Sequence, residues 1–156
     1  MAITYESIAT TTLTSPGSVT FSSVPQTFTD LVVVVNVTAS QSPVNGGLRF
    51  NSDSGTNYSS TRITGDGSSA SSSRDTTDDV LRTGVVSTNS VVIAQIMNYA
   101  NTTTYKTVLS RAGGAGDRVA AFVGMWRNTA AITTVQVTNL NYPTGTTFTL
   151  YGIKAA

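Results

Sequence analysis

Apolar and polar residues alternate along most of this chain, and the repeat is two residues, not three to four. Asp30 to Ala39, DLVVVVNVTA, carries the strongest signal: Leu31, Val33, Val35 and Val37 share one face, and Val32 and Val34 begin the other. A β-branched run that is apolar on both faces predicts a strand central in a sheet. Ser90 to Asn98, SVVIAQIMN, repeats this character. Arg118 to Arg127 sets Val119, Ala121, Val123 and Met125 against Ala120, Phe122, Gly124 and Trp126. Weaker alternation predicts strands at about Thr4–Leu13, with an irregularity near Ser7, and at Ser18–Phe21, Tyr58–Thr64, Gly84–Val86, Tyr105–Arg111, Ile132–Thr138 and Thr146–Lys154.

Turn formers punctuate these runs. Ser15-Pro16-Gly17 and Tyr142-Pro143-Thr144-Gly145 read as turns, Pro presetting φ and Gly accepting a positive one. Leu48 to Gly67 reads as a hairpin: Leu48, Arg49 and Phe50 close one strand, Asn51 to Thr56 turns, and Tyr58 to Thr64 returns. Ser40 to Gly47 and the glycine-rich 112–117 are expected to be loops, and the polar tract at about 68–79 an exposed loop. No stretch of ten residues combines helical periodicity with capping. Eight to ten short strands predict an all-β, antiparallel, jelly-roll-like β-sandwich, and 156 residues predict one domain, 1–156.

Composition narrows the function. Charged residues make up only 11% of the chain, net charge is +1, and Ser and Thr supply roughly three residues in ten. Such a surface suits an assembly, where exposed Lys and Glu are not needed for solubility. No basic block predicts a nucleic-acid partner. The chain has neither Cys nor His. That removes disulfides, the common zinc, haem and iron–sulfur ligand sets, and the Ser–His–Asp and Cys–His nucleophile systems. The start MAITYESIATTT shows no secretory signal, and the apolar run Leu31–Val35 is far too short to span a bilayer.

Several constellations invite a chemical reading. Asn51 to Asn57, NSDSGTN, resembles the opening of a calcium loop, but the position for a bidentate carboxylate is Arg62; an Asx- and Gly-rich turn explains the residues more simply. Glu6, Asp30, Asp53, Asp66, Asp75, Asp78, Asp79 and Asp117 include no marked catalytic pair. Trp126 with Tyr58, Tyr99, Tyr105, Tyr142 and Tyr151 could form a sugar-stacking platform, against which core packing of Trp126 is the stronger expectation. Arg62, Arg74 and Arg82 are a basic spot or a salt-bridged face. The sequons at Asn36, Asn57 and Asn101 read as chance in a Thr-rich chain. Neither catalytic, cofactor-binding nor metal-binding residues are assigned, and no enzyme is expected.

The succession TYESIATTTL, TDLVVVV, LRFNSDSGTNYSSTRITGDGSSASSS, GMWRNTAAITTVQV and TLYGIK resembles a family of small virion proteins of tailed phages, including cyanophages. The resemblance covers nearly the whole chain and is most specific at FNSDSGTNYSSTRITGDG and WRNTAAITTV. It implies a jelly-roll cement or decoration protein on the capsid exterior, made in the host cytoplasm. It further implies a homotrimer bound to the major capsid protein, with neither nucleic acid nor membrane as partner. The alternative it leaves open is a tail or fibre receptor-binding module that recognises host-surface glycan.

Overall fold

The computed structural model describes residues 5–38, 44–114 and 118–154 and contains only strands and connections among them. The twelve strands are β1 (Tyr5–Thr12), β2 (Gly17–Phe21), β3 (Asp30–Val37), β4 (Val44–Phe50), β5 (Tyr58–Gly65), β6 (Ala70–Asp78), β7 (Leu81–Val86), β8 (Ser90–Ile96), β9 (Lys106–Gly114), β10 (Val119–Trp126), β11 (Val135–Tyr142) and β12 (Thr147–Ile153). Eight of them form one sheet in the order β1-β12-β3-β8-β9-β10-β5-β6, and four form a second in the order β2-β11-β4-β7. Every pairing is antiparallel. The two sheets pack as a jelly-roll-like β-sandwich around one core, a single compact domain.

The alternating pattern explains the packing. β3 turns Leu31, Val33, Val35 and Val37 into the core, as do β8 with Val92, Ala94 and Ile96 and β12 with Phe148 and Leu150. β3 is central, between β12 and β8, as its two apolar faces predict. The smaller sheet answers with Val19, Phe21, Leu48, Phe50, Leu81, Val86, Val135 and Val137. Gly124 on β10 permits this approach, since a Cβ there would lie 2.7 Å from the Leu81 side chain. The irregularity expected near Ser7 is a register shift between Ser7 and Ala9.

Five expectations change. Leu48–Gly67 is not a hairpin: β4 belongs to the small sheet and β5 to the large one, so residues 51–57 form an arch across the sandwich. Turn-forming residues serve either purpose, and pairing of β4 with β11 and of β5 with β10 decides between them. The tract at 68–79 is exposed, but it is the edge strand β6, hydrogen-bonded to β5 rather than looped. β4 starts at Val44, so Asn45-Gly46-Gly47 is strand with a register shift between the glycines; residues 40–43 of that expected loop lie outside the described residues. β9 likewise runs into Gly113 and Gly114, held by β8 and β10 on either side, while 115–117 lie outside the described residues. β11 begins at Val135 and runs to Tyr142, later than the predicted Ile132–Thr138.

Candidate docking surface

Each acidic side chain among the described residues that was weighed as a ligand or catalyst has a structural partner. Asp53 is the clearest case. The Trp126 indole donates to its Oδ2 at 2.7 Å, the Asn57 amide donates at 3.0 Å, and the Gly55 amide donates to Oδ1 at 2.9 Å. Burial alone would push its carboxyl up, but donation by Trp126, Gly55 and Asn57 outweighs it and holds Asp53 below the usual range. These donors use the Asp53 oxygens to hold the arch, as in an Asx-type turn. The Tyr58 hydroxyl donates to the Asp53 carbonyl at 3.1 Å and accepts from the Phe50 amide at 3.0 Å. Asn51, at φ 51°, spans the arch base, its side chain bonding the backbone of Ala131, Thr133 and Thr134.

Asp78 pairs with Arg82 at 2.7 Å, Asp79 with Arg49 at 2.8 Å, Asp75 with Arg62 at 3.9 Å and Glu6 with Lys154 at 2.7 Å. Asp30 accepts from the Gln95 side chain and the Asn98 amide. Asp66 caps its own turn through Ser68 and Ser69, whose amides lower its carboxyl. Asp117 lies outside the described residues. No group of three or more His, Cys, Asp or Glu is placed to hold a metal among the described residues. Arg62, Arg74 and Arg82 do not converge: Arg82 is on the small sheet, and Arg62 and Arg74 point to opposite faces of the large one. Trp126, Tyr58, Tyr99 and Tyr142 are buried, so they form core and not a platform; Tyr105 is exposed and Tyr151 half-buried. Of the sequon residues, Asn36 is exposed, Asn57 donates to Asp53, and Asn101 caps Thr103 and Thr104.

The feature that sequence reasoning missed is the other side of the large sheet. β10 buries Ala120, Phe122 and Trp126, and its alternate residues Val119, Ala121, Val123 and Met125 are all exposed. Registers align them with neighbours of the same kind. In one row Val91, Gly113, Val119 and Gly65 lie side by side; in the next Val34, Ile93, Arg111, Ala121 and Ile63; in the third Val32, Gln95, Leu109, Val123 and Thr61. Val119 is 66% exposed, Ile63 64% and Val123 54%. Between Val91 and Val119 the glycine leaves a shallow concavity of about 580 Å³, also lined by Ile63, Gly65 and Arg111. Arg111 stands in the middle and makes no ion pair among the described residues. Tyr5 meets Tyr151 edge-on at 6.5 Å towards the β1 side. The alternation that carries this face was visible in β10; that neither sheet of the described residues covers it follows only from the topology.

This face offers apolar area with two exposed arginines, Arg111 near its middle and Arg74 beside Thr61 on β6. No protein-family model and no curated protein sequence matches the chain.

Proposed function

We propose that the chain is a structural virion protein, a capsid cement or decoration protein that docks on the outer surface of a tailed-phage capsid and stabilises its capsomer junctions. The observation that carries this reading is a sandwich whose acids, among the described residues, are engaged in structural pairs and which leaves a broad apolar sheet face exposed among the described residues. The resemblance of FNSDSGTNYSSTRITGDG and WRNTAAITTV to virion proteins supports it. The partner is the major capsid protein and the place the capsid exterior. The mechanism is linkage: a protein that binds the assembled shell and not its dissociated subunits shifts the balance towards the shell. Several copies at one junction add avidity through individually weak contacts. The hydroxyl-rich margin of the sandwich, β6 above all, supplies hydrogen-bonding groups to the shell.

Shells stripped of this protein test the reading. Adding it back should raise their disruption temperature in a saturable way. Failure to bind, or binding with no change in that temperature, rejects it.

A further inference from the structure

We propose that the outer face of the eight-stranded sheet is covered by the same face of a second copy of this chain. The inference stands apart from the cement reading and rests on extent, shape and charge. Strands spaced at about 4.8 Å and outward residues spaced at about 6.8 Å give the whole face roughly 35 by 22 Å, close to the ~800 Å² per partner of a standard interface. Its exposed apolar centre, from β8 to β5, is on the order of 300–400 Å², the size of the patch that marks an interaction site on many monomers; Val32 on β3, at the margin, is already buried. Sheets packed face to face stay within about 30° of alignment, so the outer face of one sheet is matched well by the same face of another with the same twist.

The registers of the four central strands, β8, β9, β10 and β5, allow the face to pack on itself, with Arg74 of β6 over Val32 of β3 at the margin. Consider a two-fold axis that runs along the strands between β9 and β10. It places β9 over β10 of the second copy and β8 over β5. Val119, the most exposed apolar side chain of the face, then meets Gly113, and Val91 meets Gly65. A Cβ built at Gly113 or Gly65 would find only Val119 nearby, at 3.5 and 4.0 Å, so these glycines are open hollows beside a knob. In the next row Ile93 meets Ile63, and Arg111 meets Ala121, the smallest side chain of that row. Leu109 meets Val123 in the third. Isologous contacts demand this kind of self-complementarity, where residue i touches j and j touches i. Arg is also the charged residue that interfaces retain most readily. The two Arg111 side chains lie near the axis and repel, so salt strengthens the pairing instead of weakening it.

Light scattering with size exclusion on the purified chain tests this, with Val119→Lys and Val123→Lys as variants. Both positions are exposed, so the folded chain accommodates either substitution; circular dichroism checks that it does. The expected result is a mass of two chains, or an even multiple, for the wild type at about 100 μM, a concentration that reveals even weak pairing. The double variant should run as a folded single chain. A wild-type mass of one chain overturns the inference, as does an assembly that both substitutions leave intact. A three-chain mass, the assembly that the family resemblance implies, also overturns it while leaving the cement reading standing. A single-chain wild type that binds shells, and loses that binding in the double variant, would place the shell on this face in place of the second copy.

Discussion

Asp53 sits at the mouth of the sandwich and joins its two layers. Its carboxylate receives the Trp126 indole from β10, and its carbonyl receives the Tyr58 hydroxyl from the start of β5. Trp126 stacks on Tyr58 with ring planes 15° apart, and Phe50 closes the cluster from the small sheet. Replacing Asp53 by Ala leaves an indole N–H without its acceptor and should cost about 1–3 kcal/mol in urea unfolding at neutral pH. Asp53→Asn keeps an acceptor but loses the charge, and its cost should depend on pH. The folded carboxyl is held below its ordinary value. Its contribution is therefore present above the unfolded pKa of about 3.9 and lost as pH falls through the lower folded value. Unfolding curves for wild type and Asp53→Asn should converge as pH drops below about 4; a gap that persists there would show that charge is not what binds Trp126. In sequence, Asp53 shows only a turn former. The partner that defines it is 73 residues away, beyond the reach of any local spacing.

At the scale of elements, β6 and the arch between β4 and β5 show where local pattern stops being informative. β6 reads ASSSRDTTD and is exposed along most of its length, so no face is selected for apolar residues and no alternation appears. Its strand character comes from β5, which offers a free ladder edge. Having one neighbour, β6 should exchange its amide hydrogens at least about tenfold faster than β9, which is bonded on both sides. Hydrogen-exchange mass spectrometry resolves this; equal protection would mean that something covers the β6 edge in solution. The glycines of β4 and β9 mislead in the opposite sense. Gly46, Gly47 and Gly113 look like loop residues, yet neighbouring ladders hold them extended, and Gly46 is needed because a Cβ there would lie 2.6 Å from the Tyr142 hydroxyl.

Over the whole molecule, stability rests on an apolar and aromatic core with few charges. Three tyrosines belong to it. Burial pushes the Tyr58 phenol up to about 12, despite the hydrogen bond its oxygen accepts from the Phe50 amide, and raises Tyr142 and Tyr99 as well. Unfolded tyrosine ionises near pH 10, so between there and the folded values the unfolded state binds fewer protons. The stability that these groups contribute is full below about pH 10 and declines above it. A spectrophotometric titration should show a cooperative step in which the buried phenols Tyr58, Tyr99 and Tyr142 ionise as the fold opens. Ionisation of all six tyrosines as one smooth, unfolding-independent curve would contradict this picture.

What the residues alone determine is the class of the fold: an alternating apolar pattern, β-branched runs and frequent turns leave a sandwich of short strands as the way to bury one face of each. They also determine what the chain lacks, since without Cys or His whole families of chemistry are closed to it. Only the tertiary structure decides which sheet each strand joins, because antiparallel pairing is a contact between distant segments and turn formers are the same in a hairpin and an arch. It alone decides that the second apolar face of β8 and β10 is left uncovered by the described residues. Alternation says that a strand has two faces; what lies over each is set by the other strands, and here the small sheet can cover just one side of the large one.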